Sequence, residues 1–466
     1  MPTRLALLPR LLLPCLALTL SGAEDRAAAL MKTVSELANP AMQGRLTGSP
    51  SGRKAEAWVE KAMRALPLEV KTQEFTFPLY EALSPTAFDL LDAKGAPQRR
   101  LAYLTDFREV QYSGSGDVTG ELVFAGYGVD APGFSPYGQV DVKGKIVVLL
   151  WGLPKGAPVA QAYPDVKLHA AWTHGAKGVV LVPTGGLAKR VEELGDEAVV
   201  RALGPTQAFN PELYHAELPA VFLRKAAVEA LLGMTTEALV ADPTPKALGR
   251  SVHLQLRSRM SQEARSRNVF GILKGRDPQL SKEVVLLGAH YDHLGMGADG
   301  RIFPGASDNA SGTAVVLEAA RALATCGLAP KRTLVFALWC AEEQGLYGSR
   351  FYAEKEPLWP LQDTKLMIQL DDVGGKELAL SNVNDNPLVQ AFAGQAIREG
   401  RLTPVDWGGQ GASDDVPFLA KKIPSYRFVA PGDHHHRATD TPAIVDRAGL
   451  SKVADIVIEG LKAVAF

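Results

Sequence analysis

VVLLGAHYDHLGMGADGRIFPGASDNASG, residues 284–312, is the stretch whose pattern decides the fold class. It opens with a continuous apolar run, Val284–Leu287, as expected of a strand buried on both faces of a parallel or mixed sheet. Polarity then changes abruptly, to His290, Asp292 and His293. A glycine-rich crossing leads to Asp308, which stands just before Ser311-Gly312 and a helix-like run, Thr313–Leu323. In open α/β sheets, ligands bind beyond the carboxyl ends of the strands, so His290 and Asp308 stand where a site is expected. Imidazole and carboxylate together suit a zinc ion. Asp292 is placed to take the other ring N–H of His290 and fix its tautomer. Read alone, the stretch fits equally a strand end followed by a solvated polar loop.

The arrangement recurs. Leu334–Leu338 reads as a strand and runs into Trp339-Cys340-Ala341-Glu342-Glu343. Adjacent acids at a turn are ordinarily a solvated corner or the charge at a helix start. In a metal site they divide the work: one binds the ion and the other accepts a proton from the activated water. A third apolar run, Ile368–Leu370, ends in Asp371-Asp372, and the segment Asp433–Pro442 carries His434, His435 and His436 followed by Asp440. Three consecutive histidines also occur in tag-like exposed loops, but five of the nine histidines of the chain lie in this segment or the first one. His290, Asp308, Glu343, Asp371 and His436 thus offer two imidazoles and three carboxylates. That exceeds what one four-coordinate zinc needs, and two ions sharing a bridging carboxylate fit best.

The rest of the chain bounds the setting. Its 466 residues are enough for two to three domains, and 46% apolar content is that of a globular protein. A formal net charge of -1 gives no electrostatic case for nucleic acid or an anionic membrane. Arg4 and Arg10 flank an apolar run, Leu11–Leu20, which is followed by Ser21-Gly22-Ala23 and then charged residues. This is the pattern of a signal peptide over 1–23, too short to span a bilayer. The mature chain is therefore expected to be exported, periplasmic or secreted, with no membrane span. Cys15 opens a lipoprotein variant of this reading, which Pro14 disfavours. Of the remaining cysteines, Cys326 follows a helix and Cys340 ends the next strand, a separation no disulfide bridges.

Element by element, helices are expected at 27–37 and 54–66, and a half-buried strand at 71–77. Short β runs at 122–127, 145–150 and 178–182, with one helix at 166–174, fill a middle segment without gathered metal ligands. His169 and His174 lie on that helix, and His215 and His253 stand alone. The stretches GYGVDAPGFSPYGQVDVKGKIVVLL (126–150), HAAWTHGAKGVVLVP (169–183) and LPAVFLRKAAVEALL (218–232) resemble a protease-associated domain. Such a domain implies a β-rich insert without chemistry of its own. From Ser266 the α/β texture returns, with strands at 284–289, 333–338, 366–370 and 426–429. Helices are expected at 313–324, 346–353, 387–399, 416–421 and 450–464. The fold class is α/β: a mixed central sheet with helices on both faces, in two parts (24–112 and 257–466), interrupted by the insert (113–256).

Taken together, GAHYDH, GASDNASG, AEEQGLYGS, LDDVGG and HHHRATDT resemble the zinc aminopeptidase family that contains bacterial leucyl aminopeptidase, aminopeptidase Y and glutamate carboxypeptidase II. The resemblance implies two zinc ions per chain and peptide substrates with a free N-terminus. By it, His290 and Asp371 bind one ion, Glu343 and His436 bind the other, and Asp308 bridges them. Glu342 is then the general base, Asp292 and Asp440 support His290 and His436, and the Asp308–Asn309 peptide is cis. One position departs from the family pattern. Where the family commonly has Tyr before the last ligand, aiding the tetrahedral intermediate, this chain has His435, which is expected to take over that role. Two other readings share the fold: a single-zinc glutaminyl cyclase, and a non-catalytic receptor-like homologue without an intact site. Both sit badly with a chain in which every two-zinc position is filled.

Overall fold

The computed structural model describes residues 14–185, 210–297, 300–432 and 434–466. Arg4 and Arg10 of the expected signal segment, and Asp433, lie outside the described residues. In the first half of the chain the strands are β1 (Glu69–Leu91), β2 (Pro97–Arg100), β3 (Phe107–Glu109), β4 (Gly116–Phe124), β5 (Ile146–Trp151), β6 (Gly178–Pro183), β7 (Ala220–Leu223) and β8 (Lys246–Leu273). The second half contributes β9 (Val284–His290), β10 (Gly295–Met296), β11 (Ile302–Phe303), β12 (Thr333–Trp339), β13 (Thr364–Leu370), β14 (Ala379–Ser381), β15 (Thr403–Val405) and β16 (Ser425–Val429). Among the described residues, fourteen strands form one mixed sheet, and β10–β11 is a separate hairpin.

The centre of that sheet is parallel: β16 pairs β13, β13 pairs β9 and β9 pairs β12, all in one direction. These are the four strands expected from the apolar runs, with ends within two residues of the expectation. Their runs are apolar throughout because both faces are covered. Val285, Leu287, Phe336 and Leu338 pack under the helices Pro14–Leu37, Gly312–Ala324, Pro387–Arg398 and Arg447–Ala465. Val284, Leu286, Val335 and Ala337 face the other way, onto Trp339, Tyr352 and Phe418. Helices on both faces of a mixed sheet are thus observed. The helix expected from Ala27 begins at Pro14. It is tied to the body by Arg26, which pairs with Glu318 at 3.2 Å and with Asp455.

β1 and β8 make a long antiparallel ribbon, from Glu69↔Ile272 to Leu91↔Ser251, with register shifts at Phe77/Leu79 and Leu83/Ala87. Only its 71–77 portion was expected as strand. The middle of β8, RSRMSQEARSR, is exposed or half-exposed along much of its length, so no apolar alternation marks it in sequence. Beyond the ribbon, β4, β5, β6 and β7 run parallel. Ile146, Val148 and Leu150 pack towards the helix Lys225–Leu232 on one face; Val147 and Leu149 pack towards the helix Pro164–Thr173 on the other. The expected β runs and the helix at 166–174 are present here, joined by the helix Lys225–Leu232, and the strands are apolar because both faces are covered.

The histidines expected to stand alone have partners. His215 Nε2 lies 3.0 Å from His169 Nδ1, and the His215 ring stacks on Trp172 with centroids 3.8 Å apart. His253 lies between Asp89 and Asp117, at 3.5 and 2.7 Å. Cys326 and Cys340 are free, as expected. Burial pushes the Cys340 thiol up to about 12.

Candidate metal centre

The site residues come from five loops at one edge of the sheet. His290 is the last residue of β9; Glu342 and Glu343 follow β12; Asp371 follows β13; His435 and His436 lie beyond β16. Asp308 sits in an irregular turn before the helix Gly312–Ala324, and its peptide bond to Asn309 is cis. Parallel strands in register deliver their carboxyl ends side by side, which gathers residues 290, 342, 343 and 371 although they lie far apart in sequence.

Asp308 occupies the middle. Its Oδ1 is 3.3 Å from His290 Nε2, and its Oδ2 is 3.0 Å from His436 Nε2. Each imidazole faces a second carboxylate: His290 Nε2 is 3.1 Å from Asp371 Oδ1, and His436 Nε2 is 3.2 Å from Glu343 Oε2. Among the described residues, three overlapping groups have ligand atoms close enough to hold an ion: His290, Glu342 and Asp371; His290, Asp308 and Glu343; and Asp308, His435 and His436. All the residues expected as ligands are therefore brought together.

The electrostatics of this cluster call for a cation. Asp308, Glu342 and Glu343 are each at most 6% exposed, and Glu342 lies with Asp371 around His290. Several like charges without water are costly unless compensated. Burial pushes Asp308 up, but the His290 and His436 rings outweigh it and hold the carboxyl well below its usual range. Burial likewise opposes ionisation of Glu343, which His436 and His293 hold low. Glu342 goes the other way. Burial raises it well above an ordinary Glu, and the charges of Asp371, Glu343 and Asp414 add to this against His290. Buried polar atoms without a hydrogen-bond partner include Asp308 Oδ2, His290 Nδ1 and His436 Nδ1. Carboxylate and imidazole donors in this concentration fit zinc.

The supporting residues depart from expectation in detail. Asp292 Oδ1 is 3.7 Å from His290 Nδ1, beyond hydrogen-bond distance, and the Asp292 carboxylate accepts the backbone N–H groups of Glu342 and Glu343 at 3.3 and 3.4 Å. It holds the acidic loop as much as it faces the ring. Asp440, expected beside His436, instead accepts the N–H groups of Ser307 and Asp308 at 2.8 and 3.1 Å. The turn that presents Asp308 has backbone donors that need a buried acceptor, and Asp440 supplies it. His435 Nδ1 lies 3.4 Å from both Asp308 Oδ2 and Asp372 Oδ2, and its ring stacks on His436 with centroids 3.9 Å apart. His434 turns away, to Thr439 Oγ1 at 2.9 Å.

Two residues at the centre were not anticipated. Arg45 is fully buried and donates to the carbonyls of Leu37, Tyr291 and Gly305, each at 2.9 Å. Burial pushes it down to about 10 against the pull of Asp440, Asp292, Asp308 and Glu343. In sequence it is one arginine in a turn-rich loop, and nothing marks it. His293 Nδ1 is 2.7 Å from Glu343 Oε1. Its proximity to His290 in the sequence was the only available signal.

An α/β domain with a carboxylate–imidazole cluster at the strand ends is an arrangement suited to holding a metal ion. Residues 268–461 match the profile of Peptidase family M28, and residues 118–231 match the PA domain. The M28 match thus falls on the segment that carries the carboxylate–imidazole cluster, and the PA-domain match lies ahead of it in the chain. Among curated relatives it is 26% identical over 441 residues to aminopeptidase YwaD of Bacillus subtilis, covering 91% of this chain and 82% of that one. It is 28% identical to the probable lipoprotein aminopeptidase LpqL of Mycobacterium tuberculosis, covering 74% of this chain and 58% of that one. The leupeptin-inactivating enzyme 1 of Streptomyces exfoliatus is 33% identical over 165 residues, 35% of this chain and 36% of that one. The chain therefore spans less than two thirds of the latter two relatives. In fold it matches an aminopeptidase from Aneurinibacillus sp. strain AM-1, with a TM-score of 0.71 at 24% identity over 94% of both chains. A zinc aminopeptidase from Bacillus subtilis superposes with a TM-score of 0.67 at 23% identity, over 94% of this chain and 95% of that one.

Proposed function

We propose that this chain is an exported two-zinc aminopeptidase that removes N-terminal residues from peptides. The observation that carries the reading is the position of Asp308, with one oxygen towards His290 and the other towards His436. Each of those rings is backed by its own carboxylate, Asp371 or Glu343. His290 and Asp371 would hold one zinc, His436 and Glu343 the other, and Asp308 both. Bound zinc supplies Lewis-acid polarisation of the scissile carbonyl and acidifies a water.

The remaining work belongs to the chain. Glu342, with Oε2 4.0 Å from His290 Nε2, is close to the ligands without a required place among them. It takes the proton of the attacking water and returns it to the leaving amine. His435 donates to the oxygen that becomes negative when the carbonyl is attacked. Asp292 and Asp440 keep the acidic loop and the Asp308 turn in place.

Residues 1–23 are proposed to be removed on export. Among the described side chains, the first to be tied to the body is Arg26. Residues 113–256 are read as one insert between the two parts of the peptidase domain, 24–112 and 257–466. Among the described residues, no helix is long and apolar enough to cross a membrane.

The test is a panel of aminoacyl p-nitroanilides with their N-acetylated counterparts, assayed before and after chelation. Hydrolysis of the free-amine series alone, lost on chelation and restored by zinc, is the expected result. Equal cleavage of the acetylated series, or activity that survives chelation, would overturn the reading.

A further inference from the structure

His293 has no part in the ligand set, yet its ring is fully buried against it. Its Nδ1 lies 2.7 Å from Glu343 Oε1, while the other oxygen of that carboxylate, Oε2, faces His436 Nε2 at 3.2 Å. That distance leaves no room for an ion between the two atoms and fits a direct hydrogen bond with Nδ1–H as donor. A nitrogen that carries hydrogen is not a metal ligand. The next carboxylate oxygen, Asp308 Oδ2, is 3.8 Å away and outside hydrogen-bond reach.

We propose that His293 is a positioning residue: its Nδ1–H grips Glu343 Oε1 from behind and leaves Oε2 as the oxygen offered to an ion beside His436. The assignment rests on the two-zinc reading and deepens it.

The fold holds the ring in place. A Cβ on Gly305 would come within 2.5 Å of His293 Cγ and Cδ2, so only glycine leaves room for the imidazole at that point. The Gly305 carbonyl is fixed by Arg45 at 2.9 Å, and the backbone N–H of His293 points to the Arg45 carbonyl at 3.4 Å. The other half of the centre lacks an equal device. Among the described residues, Asp371 Oδ2 faces Arg427 Nη1 at 3.7 Å, and the Arg427 guanidinium is stacked over Trp407 at 4.5 Å. The two ion positions are therefore unequally supported, and loss of His293 acts on one of them. Hydrogen bonds to ligating groups tune metal affinity by about 10–100-fold.

The experiment is a chelator-competition titration of zinc on the full chain, comparing wild type, His293→Asn and His293→Ala, with circular dichroism of the metal-free proteins as the folding control. The Asn side chain places an amide N–H near the Nδ1 position. Wild type is expected to bind two equivalents. His293→Ala should bind one equivalent as wild type does and the other about 10–100-fold more weakly, while His293→Asn stays within a few-fold of wild type. Wild-type affinity for both equivalents in His293→Ala overturns the assignment. So does equal weakening in Asn and Ala, which would make the ring itself, as ligand or filler, the important feature. A wild type that binds fewer than two equivalents defeats the two-zinc reading instead, and the assignment with it.

Discussion

Glu342 and Glu343 are neighbours in sequence with opposite electrostatic fates. Burial, with the charges around it, raises Glu342 well above an ordinary Glu, whereas the rings of His436 and His293 overcome burial at Glu343 and keep it ionised. Glu343 also lies against His436 at 3.2 Å while Glu342 stands 4.0 Å from His290, and on that geometry the first is proposed as ligand and the second as proton carrier. Glu342→Gln is accordingly expected to keep both zinc ions and lose turnover by on the order of 10²–10⁴-fold. Zinc content measured beside kcat/KM checks this, and retained turnover places the base elsewhere. His435→Ala should lower kcat by on the order of 10²-fold with little change in KM. Burial lowers the His435 ring, but Asp372 and Asp308 outweigh it and raise the ring above an ordinary imidazole. Tyrosine titrates near ~10, so His435→Tyr should shift that ring's limb of the pH–rate profile. An unchanged kcat and profile in the alanine variant would exclude His435 as donor. The residues named from sequence share one property: each ends or closely follows an apolar run, or opens a helix. Arg45 and His293 act through carbonyls and a carboxylate that only the fold brings to them, and no spacing encodes that.

At the scale of elements, the four central strands were legible because both their faces are apolar, and the β1–β8 ribbon was not. Its middle carries arginine, serine and glutamate on both faces, and its pairing is satisfied by two segments about 180 residues apart, a relation no local window contains. The turn at 40–45 makes a related point. A Cβ on Gly44 would come within 2.4 Å of the carbonyl oxygens of Gly295 and Phe303, and its φ is +70°. Gly44→Ala should therefore cost on the order of 1–3 kcal/mol and loosen Arg45 beside it. An unaltered melting temperature would contradict the packing described. In the insert, Lys167 on the helix Pro164–Thr173 is fully buried, donates to the Tyr127 carbonyl, and is pushed down to about 8 by burial. Its folded pKa lies below its unfolded value near 10.5, so protons favour the unfolded state. Stability should rise with pH between about 8 and 10.5 and lose nothing further below 8 on this account. Lys167→Met should remove that slope in melts taken across the range; an identical slope in the variant would show that another group sets it.

For the whole molecule, sheet class, helix placement on both faces and the converging strand ends all followed from where apolar runs stop. The parallel pairing of β4 to β7 did not, because Gly/Pro-rich turns between short strands leave the strand direction open. The single sheet that results carries the candidate metal site at the carboxyl ends of β9, β12 and β13 and continues through β8 into β4 to β7. Everything proposed for its chemistry depends on two ions held between five side chains. Zinc content per chain, measured by mass spectrometry on protein stripped, reconstituted and freed of excess metal, tests that most directly. The account predicts two equivalents for wild type, falling to one or none when Asp308 is changed to alanine. One equivalent or none in the reconstituted wild type would contradict it.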